Sequence, residues 1–122
     1  MAAGDAAIDI GEILADTEAS VVAVRTGDNG ETSMFGGAGT GVIITDDGLV
    51  LTNAHVVNVT GPISVTTSDG TEYPVELVGS VPEDDIALIR MTDPPAGIVP
   101  ARLGSSDELL VGEPVVAIGN AL

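Results

Sequence analysis

The sequence predicts an all-β domain, a closed antiparallel barrel or a sandwich, with one short helix ahead of it. Three observations carry that expectation. The apolar runs are short, rich in Val, Ile and Thr, and punctuated by Gly, Pro and Asp, the residues that turn a chain. Between 63 and 77 apolar and polar residues alternate with period two, as in strands with one buried and one wet face. Asp47-Gly48 and Asp69-Gly70 sit between such runs, where a tight hairpin needs residues that tolerate positive φ.

Taken in order, the first element is the helix. Asp9, with Glu12 three residues on, resembles a capping box, and Ile10, Ile13, Leu14 and Thr17 recur at helical spacing. Ser20-Val21-Val22-Ala23-Val24-Arg25 switches to β chemistry. Residues 27–38 read as a polar, Gly-rich loop. Strands at 41–45 and 49–52 flank the first hairpin turn. In the second hairpin, Ile63, Val65, Thr67, Tyr73, Val75 and Leu77 form the inward phase, and Pro74 falls on the polar phase, suiting an edge or a bulge. Residues 85–91 predict a further strand, and Pro114-Val115-Val116-Ala117-Ile118-Gly119 a last one. Neither a repeat nor a linker divides the chain. The expected organisation is an N-terminal segment with its helix at 1–19 and a single β-domain at 20–122.

Composition excludes several chemistries. There is no Cys, hence no disulfide, thiol nucleophile or Cys-ligated zinc. The three basic residues, Arg25, Arg90 and Arg102, include no Lys, which excludes Schiff-base chemistry and a Walker-type phosphate loop. A net charge of -16 repels nucleic-acid phosphates and anionic membrane surfaces. One His cannot build a multi-histidine metal site, and the carboxylates of Asp46, Asp47, Glu83 and Asp84 lack the spacing of a calcium loop, so neither metal nor cofactor is expected. No apolar run is long enough to span a bilayer, and no targeting segment is evident. The mean hydropathy is nevertheless positive, +0.42, which points to more exposed apolar surface than a small acidic domain usually shows.

One constellation carries chemistry. The single histidine lies in Leu51-Thr52-Asn53-Ala54-His55-Val56-Val57, and Asp84-Asp85-Ile86-Ala87-Leu88-Ile89 follows it. Histidine then aspartate, each at the edge of a β-type run, is the order of the first two members of a His…Asp…Ser triad. Strand alternation is expected to point Asp84 and Asp85 to opposite sides, so that only one faces His55. No Gly-x-Ser-Gly-Gly segment occurs, and Ser105 and Ser106 read as a capped helical turn rather than a nucleophile.

Three stretches resemble one family. Gly37-Ala38-Gly39-Thr40-Gly41-Val42-Ile43-Ile44 with Asp47-Gly48-Leu49-Val50-Leu51-Thr52-Asn53-Ala54-His55-Val56-Val57 resembles the catalytic-histidine segment of the HtrA (Deg) trypsin-like serine proteases. Asp85-Ile86-Ala87-Leu88-Ile89 resembles their catalytic-aspartate segment. Leu103-Gly104-Ser105-Ser106-Asp107-Glu108-Leu109-Leu110-Val111-Gly112-Glu113, continued by Ala117-Ile118-Gly119-Asn120, resembles the strand that closes their first barrel. Each motif alone is weak; the three in order are specific.

The resemblance implies a six-stranded antiparallel Greek-key barrel, the first of two, with the active site in the cleft between them. It selects Asp85 over Asp84 and implies that His55 is the general base and Asp85 its orienting carboxylate. The nucleophilic serine, the oxyanion hole and the specificity pocket belong to the second barrel, so the chain alone is expected to be inactive. The implied partners are a C-terminal barrel, a polypeptide substrate in the complete enzyme, and a second copy of this chain, by self-association through exposed apolar surface. The implied location is periplasmic, extracytoplasmic or secreted. Two alternatives remain: a non-catalytic binding module that self-associates, and a half-enzyme completed in trans.

Overall fold

The computed structural model describes residues 8–27, 37–58 and 61–119. Helix α1 spans Ile10–Thr17 and the single-turn helix α2 spans Ala54–Val57. The strands are β1 (Val21–Thr26), β2 (Ala38–Ile43), β3 (Leu49–Thr52), β4 (Ile63–Thr66), β5 (Glu72–Val81) and β6 (Ile86–Met91). They close into a barrel in the order β1-β2-β3-β6-β5-β4, with every neighbouring pair antiparallel. β1, β2 and β3 follow one another around the ring and β4 returns to lie beside β1, the Greek-key arrangement.

The inward phase of each strand fills the barrel. Val22, Val24, Ile43, Val50, Val65, Ala87, Ile89 and Met91 are buried, and α2 adds Ala54, Val56 and Val57. Among the described residues the core holds no buried aromatic; Tyr73 packs half-buried against it. Both hairpin turns form where the Asp-Gly pairs stand, closed by Ile44 N–H to Leu49 O at 2.9 Å and Thr67 N–H to Thr71 O at 2.9 Å. Asp9 caps α1 by accepting the Glu12 N–H at 3.1 Å. Most of the loop expected at 27–38 lies outside the described residues.

Three expectations are corrected. Residues 114–119 do not form a strand. β1 pairs with β4, so the ring is already closed and offers no edge to a seventh strand, and Val115 is left exposed. Leu77 keeps the inward phase, opposite the buried Ile89, but it is not buried: it lies 47% exposed where the register shifts between Leu77 and Gly79. Pro74 is neither at an edge nor in the bulge. Its carbonyl accepts the Thr92 N–H at 3.1 Å, and a residue's N–H and C=O point the same way in an antiparallel ladder. The missing N–H of Pro74 therefore faces Thr92, just past the end of β6, and the one bond forgone lies at the end of that ladder.

Candidate active site

α2 begins where β3 ends. Its sequence Ala54-His55-Val56-Val57 buries three residues and leaves His55 outside, with its side chain 70% exposed. The helix sits close over β1 and β2. A Cβ on Gly37 would lie 2.6 Å from the Val56 carbonyl oxygen, and one on Gly39 would lie 2.6 Å from a Val56 methyl. Gly37 and Gly39 therefore provide clearance for the helix that carries the histidine. Thr26, buried at the end of β1, ties the same parts together. Its hydroxyl accepts the Gly37 N–H at 2.7 Å and faces the Val56 and Gly37 carbonyls at 3.2 and 3.3 Å.

Asp85 enters from the start of β6, the strand paired with β3. Pro82–Asp84 make a turn of 3-10 helix, and Asp85 follows with φ 56° and ψ 43°, the left-handed conformation. Strand alternation thus does not separate Asp84 from Asp85, because β6 starts only at Ile86. The left-handed turn aims the Asp85 carboxylate. One oxygen accepts the His55 backbone N–H at 2.8 Å, and the other lies 2.7 Å from His55 Nδ1. Asn53 donates its side-chain amide to the Asp85 carbonyl at 3.1 Å. Neither Asn53 nor Thr26 stands out in the sequence as a site residue, although Asn53 lies inside the histidine motif.

The Asp85 carboxyl is held below the usual carboxylate range, first by the His55 backbone N–H and then by the imidazole. An ionised carboxylate only accepts, so the proton of a neutral ring rests on Nδ1 and the Nε2 lone pair points away. Such a ring can take a proton from a hydroxyl placed outside the barrel. The pH consequence has a definite sign. A depressed carboxylate adds stability above its unfolded pKa, about 3.9, and loses it as pH falls through the folded value. The stability gap between the chain and Asp85→Asn is expected to narrow below about pH 4 in denaturant titrations; a gap independent of pH through the acid range would contradict this.

Asp47 accepts from Thr45 and binds Arg90 at 2.7 Å, which together hold its pKa below the usual carboxylate value. Ser105 caps a 3-10 turn by accepting the Asp107 N–H at 3.3 Å. Among the described residues, no three His, Asp or Glu side chains group as metal ligands do.

Residues 39–122 match the family described as trypsin-like peptidase domain. The probable periplasmic serine endoprotease DegP-like of Ectopseudomonas mendocina is 48% identical over 82 residues, which cover 67% of this chain and 17% of that protein. The periplasmic serine endoprotease DegP of Escherichia coli is 42% identical over 92 residues, covering 75% of this chain and 19% of that one. Among solved structures, the HtrA-type protease AlgW with tripeptide superposes with a TM-score of 0.72 at 29% identity, over 84% of this chain and 32% of that chain. The chain therefore spans about a fifth of the length of these curated relatives. With the closed Greek-key barrel, these matches show that the chain belongs to the trypsin-like peptidase family, as the amino-terminal barrel region of an HtrA-like protease.

Proposed function

We propose that this chain supplies the histidine and aspartate of a serine-protease triad, and that the nucleophilic serine and the oxyanion hole come from outside these 122 residues. The observation that carries the reading is the His55 Nδ1–Asp85 contact of 2.7 Å on a ring whose side chain is 70% exposed. In the complete site, Nε2 takes the proton of the serine hydroxyl as it attacks the peptide carbonyl, then returns it to the leaving amine. Asp85 holds the ring's tautomer and stabilises the imidazolium. The substrate is a polypeptide, and the setting is extracytoplasmic, as the names of the periplasmic relatives suggest.

A fluorophosphonate probe tests the reading. The 122-residue chain alone is expected to stay unlabelled. Mixed with a second barrel from a relative, it is expected to yield a labelled serine on the added chain, and His55→Ala abolishes the labelling. A labelled serine within this chain, or labelling indifferent to His55→Ala, would overturn the proposal. One observation favours a second reading, a binding module. Leu103, Leu110, Val111 and Val115 stand 69%, 74%, 108% and 71% exposed on one stretch of chain. A second copy of the chain or the added barrel covering this stretch, without any serine becoming labelled, is what that reading requires.

A further inference from the structure

We infer that Asn53 is a positioning residue for the His55–Asp85 pair, holding the Asp85 main chain in the conformation that points both carboxylate oxygens at His55. The inference rests on the triad reading above but concerns a residue that reading does not use.

Asn53 is the N-cap of α2, with the extended backbone usual there, φ -92° and ψ 142°. An N-cap Asn normally turns its side-chain oxygen back to an N–H of its own helix. Asn53 makes no such bond. The N–H it would have served, that of His55 in the second helical position, is taken by Asp85 Oδ1 at 2.8 Å. The Asn53 amide is thereby released to reach the start of the neighbouring strand and donate to the Asp85 carbonyl at 3.1 Å. The two residues exchange roles: Asp85 caps the helix of Asn53, and Asn53 secures the backbone of Asp85.

That backbone needs securing. Asp85 is the one non-glycine residue with positive φ among the described residues. Its left-handed conformation is less favourable for a residue with a Cβ, though aspartate tolerates it better than most. It is held at one end by its own N–H, which donates to the Pro82 carbonyl at 3.1 Å, and at the other by Asn53. Released from Asn53, the peptide after Asp85 can rotate toward a commoner conformation, and the carboxylate no longer spans both the His55 N–H and Nδ1. The requirement is for a donor of this reach. Aspartate at position 53 presents an acceptor to the carbonyl, and serine is too short.

Asn53→Ser and Asn53→Asp separate positioning from folding, since serine and aspartate cap helices as well as asparagine does. Nitrogen-15 NMR of the 122-residue chain reads the imidazole tautomer directly, and proton exchange at Nδ1 reads how often the pair opens. Both variants are expected to keep the amide spectrum of β3 and β6, shift His55 away from the Nδ1–H tautomer, and speed Nδ1 exchange by about two- to tenfold, the range for one hydrogen bond. An unchanged tautomer and exchange rate in either folded variant overturns the positioning role while leaving the pair intact. Asp85→Asn is measured beside them. If it too leaves the tautomer unchanged, the pairing itself fails, and the role of Asn53 with it.

Discussion

Ile89→Ala is expected to destabilise the barrel by about 2–5 kcal/mol, the cost of removing a large buried aliphatic side chain. Ile89 is 0% exposed and sits mid-strand in β6, across from Val50 on β3 and Leu77 on β5. The surrounding core is mostly valine, whose β-branched side chains have few rotamers with which to refill a cavity. The loss falls toward the upper end for that reason. A domain with net stability of about 5–15 kcal/mol gives up a large fraction of it. Denaturant unfolding measures the change. Ile86→Ala on the same strand, 43% exposed, is the comparison and is expected to cost far less. Equal losses at the two positions would show that the interior is not packed as described.

Gly37→Ala is the second large effect, and it reaches the site. The new methyl would lie 2.6 Å from the Val56 carbonyl oxygen and 2.9 Å from Thr26 Oγ1. The first is backbone and the second belongs to a buried side chain, so neither can swing aside. Overpacking of this kind costs about 1–3 kcal/mol, and breaking the Thr26 link to Gly37 adds about 1 kcal/mol. The strain is relieved by lifting α2, and with it His55, from its seat. Lower stability is therefore expected together with a weakened His55–Asp85 contact, visible in the imidazole nitrogen resonances. Gly104→Ala, with nothing within 4 Å of its added carbon, is the control and should be within about 0.5 kcal/mol of the parent. A Gly37→Ala chain as stable as that control would show that α2 does not sit where the glycines leave room for it.

What the sequence disclosed was what local pattern controls. Alternation at Ile63, Val65, Tyr73 and Val75 marks the second hairpin because period two is a property of the strand itself. The Asp-Gly turns are equally local. The failures are non-local. Residues 114–119 are as apolar as a strand, yet a strand needs an edge, and whether one is free depends on β1 meeting β4. The exposure of Leu77 goes with an unmatched residue in β5, visible only against β6. At the site, the residue types and their order named His55 and an aspartate at 84 or 85, the family resemblance chose Asp85, and the structure places Asp85 in contact with His55. The means is a left-handed aspartate rather than strand alternation, and that conformation has no signature in the letters. Asn53 and Thr26 escaped notice because each acts through hydrogen bonds to main-chain groups distant in sequence.

The pairing of β3 with β6 works as a ruler. Thr52 stands opposite Ala87, so the chain leaves β3 toward His55 at the same rim where it arrives from Asp85 into β6. A slip of two residues along this ladder would keep every side chain on its own face and preserve the core pattern. It would also carry Asp85 about 7 Å along the strand direction, far outside hydrogen-bond reach. Gains or losses of a residue are therefore not equivalent around the ring. β5 already accommodates an unmatched residue at Val78, so a change of length there is absorbed as the presence or absence of a kink. In β3 or β6 the same change has no slack to enter. These two strands set chain length as strictly as the site sets residue identity, while β5 is where the barrel can vary in length without moving the pair.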